Sequence, residues 1–141
     1  MDAEFYFNRG VERTKKRELQ GAIEDYSAAI TLSSGSVRKP ITTSQPDGST
    51  VSVDVIEESV GTESMYFNRG CAYLDIGNYT AAINDFSKFI EYNENDPEVY
   101  FKRAVANYCL ENDDEVERDL ELATALDLQY NKQKLLAIFR S

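Results

Sequence analysis

The string Tyr6-Phe7-Asn8-Arg9-Gly10 recurs unchanged as Tyr66-Phe67-Asn68-Arg69-Gly70, and a softened third copy follows as Tyr100-Phe101-Lys102-Arg103-Ala104. Downstream of each lies a second matching block: Ala22-Ile23-Glu24-Asp25-Tyr26-Ser27, then Ala82-Ile83-Asn84-Asp85-Phe86-Ser87, then Val116 to Glu121. Gly70 and Ala104 are 34 residues apart, and so are Ala82 and Val116. A fixed period of this length means one supersecondary unit stacked on itself, each copy burying a face that it could not bury alone.

The residue types suggest how the unit is built. A glycine in mid-helix costs about 1 kcal/mol against alanine, so its return at Gly10 and Gly70 points to two helices crossing too closely for a side chain. Tyr and Phe at helical spacing then fill the space around that crossing. Punctuation supports helix pairs. Gly77-Asn78 is a glycine C-cap, and Asp96-Pro97-Glu98 reads as N-cap, proline at the first helical position and an acid in the first turn. The same reasoning places Asp113 at the start of the last unit's second helix.

A 34-residue period carrying these residues resembles the tetratricopeptide-repeat (TPR) family. The middle unit fits best, with Tyr66, Gly70, Tyr73, Ala82 and Phe86 at the large and small positions and Pro97 opening the next unit. The resemblance implies an all-α, TPR-type helix–turn–helix solenoid filling residues 1–141 as a single domain. Repeat one would span 3–33, repeat two 63–96 and repeat three 97–127. A C-terminal capping helix is expected at 129–140, where Leu135, Leu136, Ile138 and Phe139 follow Lys132, Gln133 and Lys134 and can give one polar and one apolar face. Departures occur at Arg13 and Asn107, where repeat two has Tyr73, and at Phe89, where the neighbours have Ala29 and Ala123. Repeat one also turns through Lys16-Arg17-Glu18-Leu19 without glycine.

Gly10 and Gly70 are 60 residues apart, which leaves an insertion at 34–61 between repeats one and two. Gln45-Pro46-Asp47-Gly48-Ser49 has the residues of a turn, and Val51, Val53 and Val55 alternate beside it. A β-hairpin insertion is expected. The other reading is a flexible surface loop, because a lone hairpin is marginal in water.

Charge and composition exclude several classes. With 42% apolar and 28% charged residues, the chain has a soluble globular profile, and no apolar run reaches the roughly 18 residues that a membrane span needs. The net charge of −10 is concentrated in the middle and the C-terminal part, so nucleic acid and anionic membrane surfaces are poor partners. A basic or apolar partner suits this field, although solubility alone would also account for it. Histidine is absent, which removes the usual general base and the commonest metal ligand. No phosphate-binding glycine loop or nucleophile elbow appears, so the chain is read as no enzyme, with no metal and no cofactor. Its acidic groups, Glu94, Asp96 and Glu98 and then Glu111, Asp113, Asp114 and Glu115, are explained by helix caps. Cys71 and Cys109 share no motif spacing and are read as small apolar residues. The Met1–Glu4 start shows no secretory signal, so the cytoplasm is the expected location.

By resemblance, the first helix of each TPR lines a concave surface that takes ligands. Register then puts Phe7, Phe67 and Phe101 in that groove, with Asn8, Asn68 and Lys102 beside them and Val11, Cys71 and Val105 one turn on. Such a trough would receive an extended peptide or an amphipathic helix of another protein, as an adaptor, scaffold or chaperone-like module does. Alternatively, these aromatic rings belong to the repeats' own packing. TPR domains that grip acidic chaperone tails use a clamp of lysine, asparagine and arginine. The matching positions here are Phe7, Val11, Asn68, Glu98 and Lys102, where only Asn68 is kept and Lys102 is a conservative change, so a dicarboxylate clamp is not expected. The alternative function is a self-assembling unit that forms a homodimer through the groove or the inserted hairpin.

Overall fold

Each sequence repeat folds as two helices packed along their length. The computed structural model describes residues 2–36 and 61–140, and among them are α1 (Ala3–Lys15), α2 (Leu19–Ser36), α3 (Thr62–Ile76), α4 (Tyr79–Tyr92), α5 (Pro97–Cys109), α6 (Asp113–Leu126) and α7 (Lys132–Phe139). The pairs α1–α2, α3–α4 and α5–α6 make the most extensive contacts. Each pair also packs on the next through α2–α3 and α4–α5. The described residues therefore form an all-helical solenoid. The expected β-hairpin falls at 37–60, outside the described residues, and α2 continues helically to Ser36. Among the described residues, no helix is long and apolar enough to cross a membrane.

Local chemistry sets the helix ends. Asp2 caps α1 by accepting from the Phe5 amide at 2.9 Å, and Asp96 accepts from Glu98 with Pro97 in the first turn of α5. Asn78 and Asn131 cap α4 and α7 in the same way. Asp113 is the first residue of α6, but the N-cap is Asn112. Its side-chain amide donates to Asn107 instead of capping the helix. Gly77 ends α3 with φ 86°, a left-handed conformation that glycine adopts without strain. The equivalent residues, Arg17 and Glu111, adopt φ 61° and 62°. The turn is thus enforced by packing even where the side chain disfavours it.

The crossing inside each repeat is a matter of size. A Cβ on Gly10 would lie 2.7 Å from the Tyr26 ring, and one on Gly70 would lie 2.8 Å from the Phe86 ring. In repeat three Ala104 replaces glycine, and the residue across from it in the core is Leu120, which is smaller than an aromatic. The polar detail is matched as well. The Tyr26 hydroxyl bonds Thr14 at 2.8 Å, whereas Phe86 faces Leu74.

A periodic ion pair joins the two helices of every repeat. Arg9, Arg69 and Arg103 each donate Nε and Nη2 to both oxygens of the aspartate 16 residues on: Asp25, Asp85 and Asp119. All six bonds measure 2.7–3.0 Å. The three carboxylates are 1–3% exposed. Stranding such an ion in the core is expensive, so the fork fixes both helices in one relative position. Nη1 of Arg69 and of Arg103 then reaches back 3.1 Å to Ser27 and Ser87 on the preceding repeat. Burial pushes the Asp85 carboxyl up while Arg69 pulls it down, and Asp85 in turn raises Arg69.

Two outcomes follow. Gly70→Ala should overpack against the buried Phe86 ring at a cost of about 1–3 kcal/mol. Combining it with Phe86→Leu should recover part of that loss, giving a favourable coupling of about 1 kcal/mol in a denaturation double-mutant cycle. Additive effects would mean that the two positions do not share the crossing. Arg69→Met should destabilise by about 3–5 kcal/mol because Asp85 stays buried without its partner. Arg69→Met with Asp85→Leu should cost clearly less than Arg69→Met alone, as urea unfolding would measure.

Candidate partner-binding groove

The first helices α1, α3 and α5 touch one another in sequence order, so their free faces form one surface. The residues expected to line it are all on these helices, but their exposure differs. Asn8 is exposed, while Phe7, Val11, Phe67, Asn68, Cys71, Lys102 and Val105 are half-buried. Phe101 is only 5% exposed. The phenyl rings lean on second-helix aromatics: Phe7 lies 5.9 Å from Tyr26, and Phe67 lies 6.2 and 5.7 Å from Phe86 and Phe89. Each ring therefore supports its repeat's core with one face, which leaves a shallow apolar floor rather than free-standing aromatics.

Phe101 is covered by Tyr130, with the ring centroids 5.5 Å apart. Sequence reasoning did not find Tyr130, because it lies between α6 and α7 and outside the 34-residue frame that assigned every other position. Lys134 stands 5.0 Å over the same ring. At this end α7 closes the solenoid by burying Leu135 among Tyr100, Phe101, Ala104, Val116 and Leu120.

Electrostatically the floor is dry and its rim mixed. Burial pushes the Cys71 thiol up to about 11, with Lys102 opposing this and Glu98 and Asp75 adding to it. These three charges are thus the ones that bear on the middle of the trough. Asp75 is paired with Arg17 at 3.3 Å, which leaves Glu98 and Lys102, four residues apart on α5, to set the local polarity. A thiol held so high carries almost no thiolate at neutral pH, so Cys71 acts as apolar floor.

The helix pairs, the stacked first helices and their continuous face define a helical-repeat solenoid. Residues 65–110 match the family model described as TPR repeat. Among solved structures, the Arabidopsis OM64 TPR domain superposes with TM-score 0.68 at 22% identity, covering 98% of this chain and 92% of that one. The first TPR domain of Spaghetti (RPAP3), solved bound to the HSP90 peptide SRMEEVD, gives TM-score 0.67 at 17% identity and covers 99% and 94%. No sequence among the curated proteins matches the chain. The chain thus has the fold of a tetratricopeptide-repeat domain, and its residues 65–110 match the repeat of that family.

The floor chemistry can be read directly. At pH 7.5, Cys71 in the native protein should react with iodoacetamide on the order of 100-fold more slowly than in denaturant, where a thiol titrates near 8.5. Its native rate should keep rising towards pH 11. Equal native and denatured rates, read by mass spectrometry of the Cys71 peptide, would place the thiol in open solvent.

Proposed function

We propose that the chain is a protein–protein interaction module that holds a peptide or amphipathic helix of another protein in the concave face of α1, α3 and α5. The observation that carries this reading is the continuous face itself. It has a half-buried apolar floor at Phe7, Val11, Phe67, Cys71 and Val105, and polar handles at Asn8, Asn68 and Lys102. A structural neighbour of the same fold that was solved with a bound peptide supports it.

The ligand differs in charge from that neighbour's. SRMEEVD is acidic, and a tail of that kind needs several cations around its carboxylates. At the positions of the clamp this chain offers Phe7, Val11 and Glu98, and a single lysine at Lys102. The groove suits a mainly apolar segment with one acidic and one basic group, meeting Lys102 and Glu98.

Peptides selected against the full chain from a random library test this. Lys102→Glu and Asn68→Ala should each weaken the selected peptides about tenfold, the size of one good polar contact, with melting unchanged because neither side chain is fully buried. Phe67→Ala should weaken binding and also lower stability, since its ring packs on Phe86 and Phe89. SRMEEVD itself should bind no tighter than about 1 mM. Selected peptides that bind Lys102→Glu and Asn68→Ala as tightly as wild type would remove the groove as the site.

A further inference from the structure

The repeats contain three copies of one docking surface, and two of them are covered. Met65 on α3 and Val99 on α5 stand at equivalent positions, and both are completely buried. Met65 packs on Ala29 and Ile30 of α2, and Val99 on Phe86 and Phe89 of α4. Four residues further along, Arg69 and Arg103 donate Nη1 to Ser27 and Ser87 on those same helices. The covering helix therefore shows a fixed pattern. It presents a side-chain oxygen, then apolar residues two and three positions on, as Ser27, Ala29 and Ile30 and as Ser87, Phe89 and Ile90.

The third copy is the outer face of α1, where Phe5 and Arg9 take the places of Met65 and Arg69. Phe5 is 40% exposed. The Arg9 side chain is 42% exposed against 20% and 21% for Arg69 and Arg103. Its Nε and Nη2 hold Asp25 as in the other repeats, but among the described residues no hydroxyl receives its Nη1. The guanidinium sits instead over the Phe5 and Tyr6 rings, at 5.3 and 5.4 Å.

A solenoid end built only for solvent would be polar at these positions. The other end follows that rule: where α2 and α4 carry Ile23 and Ser27 or Ile83 and Ser87, α6 carries Glu117 and Glu121, both exposed. At α1 the position is occupied by phenylalanine, larger than the methionine and valine buried in the other copies. We propose that this face of α1 docks an amphipathic helix of a partner, one that offers a side-chain oxygen to Arg9 and apolar residues two and three positions later to Phe5. A second copy of this chain does not supply that helix. Its α2 and α4 are covered by α3 and α5, and Ala123 of α6 is completely buried in the cluster that Leu135 of α7 closes.

The chain's own α4 carries the pattern, so a fluorescein-labelled peptide of residues 79–92 is the probe. Titrated with the full chain, it should show saturable anisotropy. Phe5→Asp, at an exposed position, should weaken binding tenfold or more while leaving the circular dichroism and melting of the chain unchanged. A serine-to-alanine change at peptide position 87 should weaken binding several-fold, with Arg9 left intact in the chain because it also pairs the buried Asp25. Absence of binding at millimolar peptide, or equal affinity for the Phe5→Asp chain, would overturn the proposal. So would wild-type self-association in sedimentation that Phe5→Asp abolishes, because a second copy would then fill the face.

Discussion

The fork between an arginine on each first helix and a buried aspartate on each second helix is the contact on which the solenoid's geometry depends. A carboxylate 1–3% exposed has no solvent to fall back on, and only a partner donating to both oxygens at once compensates for its burial. That requirement fixes the rotation of one helix about the other, which hydrophobic contact alone leaves loose. In repeats two and three the same guanidinium then uses its remaining donor on the serine of the repeat before, so a single side chain fixes both the fold within a unit and the stacking between units. Tyr66 and Tyr73 flank Arg69 at 5.7 and 5.8 Å, which holds its plane in register with Asp85.

Once that register is set, the close crossing follows, and sizes at the crossing must sum correctly. Glycine opposite an aromatic and alanine opposite leucine are two solutions to one spacing, found in the same chain. The pairing of Tyr26 with Thr14 and of Phe86 with Leu74 obeys the same logic in polarity, since a buried hydroxyl needs a partner and a phenyl ring does not. Residues that look like loose drift between repeats are thus compensated across the helix pair.

Much of this was legible in the sequence, and the limits have physical causes. The Gly77 turn and the Asp96 cap were readable because each depends on neighbours within one or two turns, and the period and the glycine crossing because they recur along the chain. The fork was not read, although Arg9, Arg69 and Arg103 stand in plain view with Asp25, Asp85 and Asp119 at constant separation. Charged residues on helices are usually solvated, and only the constancy of the 16-residue spacing marks these as buried. At α6 the first-turn acid Asp113 was readable, but the cap itself went to Asn112, the kind of one-residue shift that turn packing decides. The nine residues that register assigned to the candidate groove all lie on first helices. Register could not tell how far Phe101 would sink, because the ring that covers it, Tyr130, obeys no repeat.

The division of labour along the first helices explains why such a frame can be kept while its surface changes. Along Tyr66-Phe67-Asn68-Arg69-Gly70, Arg69 is committed to the fork, Gly70 to the crossing, and the two aromatic rings largely to packing. What differs among the three repeats lies just beside these: Asn8, Asn68 and Lys102, then Val11, Cys71 and Val105. Asn8, Asn68 and Lys102 carry no fork, no crossing and no cap, so their substitution costs little stability, whereas Cys71 and Val105 also pack against the core. The groove proposed here would draw its rigidity from the arginine–aspartate frame and its selectivity from the side chains beside it. At its centre the floor around Cys71 is apolar, and Glu98 and Lys102 beside it supply one charge of each sign, which suits the mainly apolar segment proposed above.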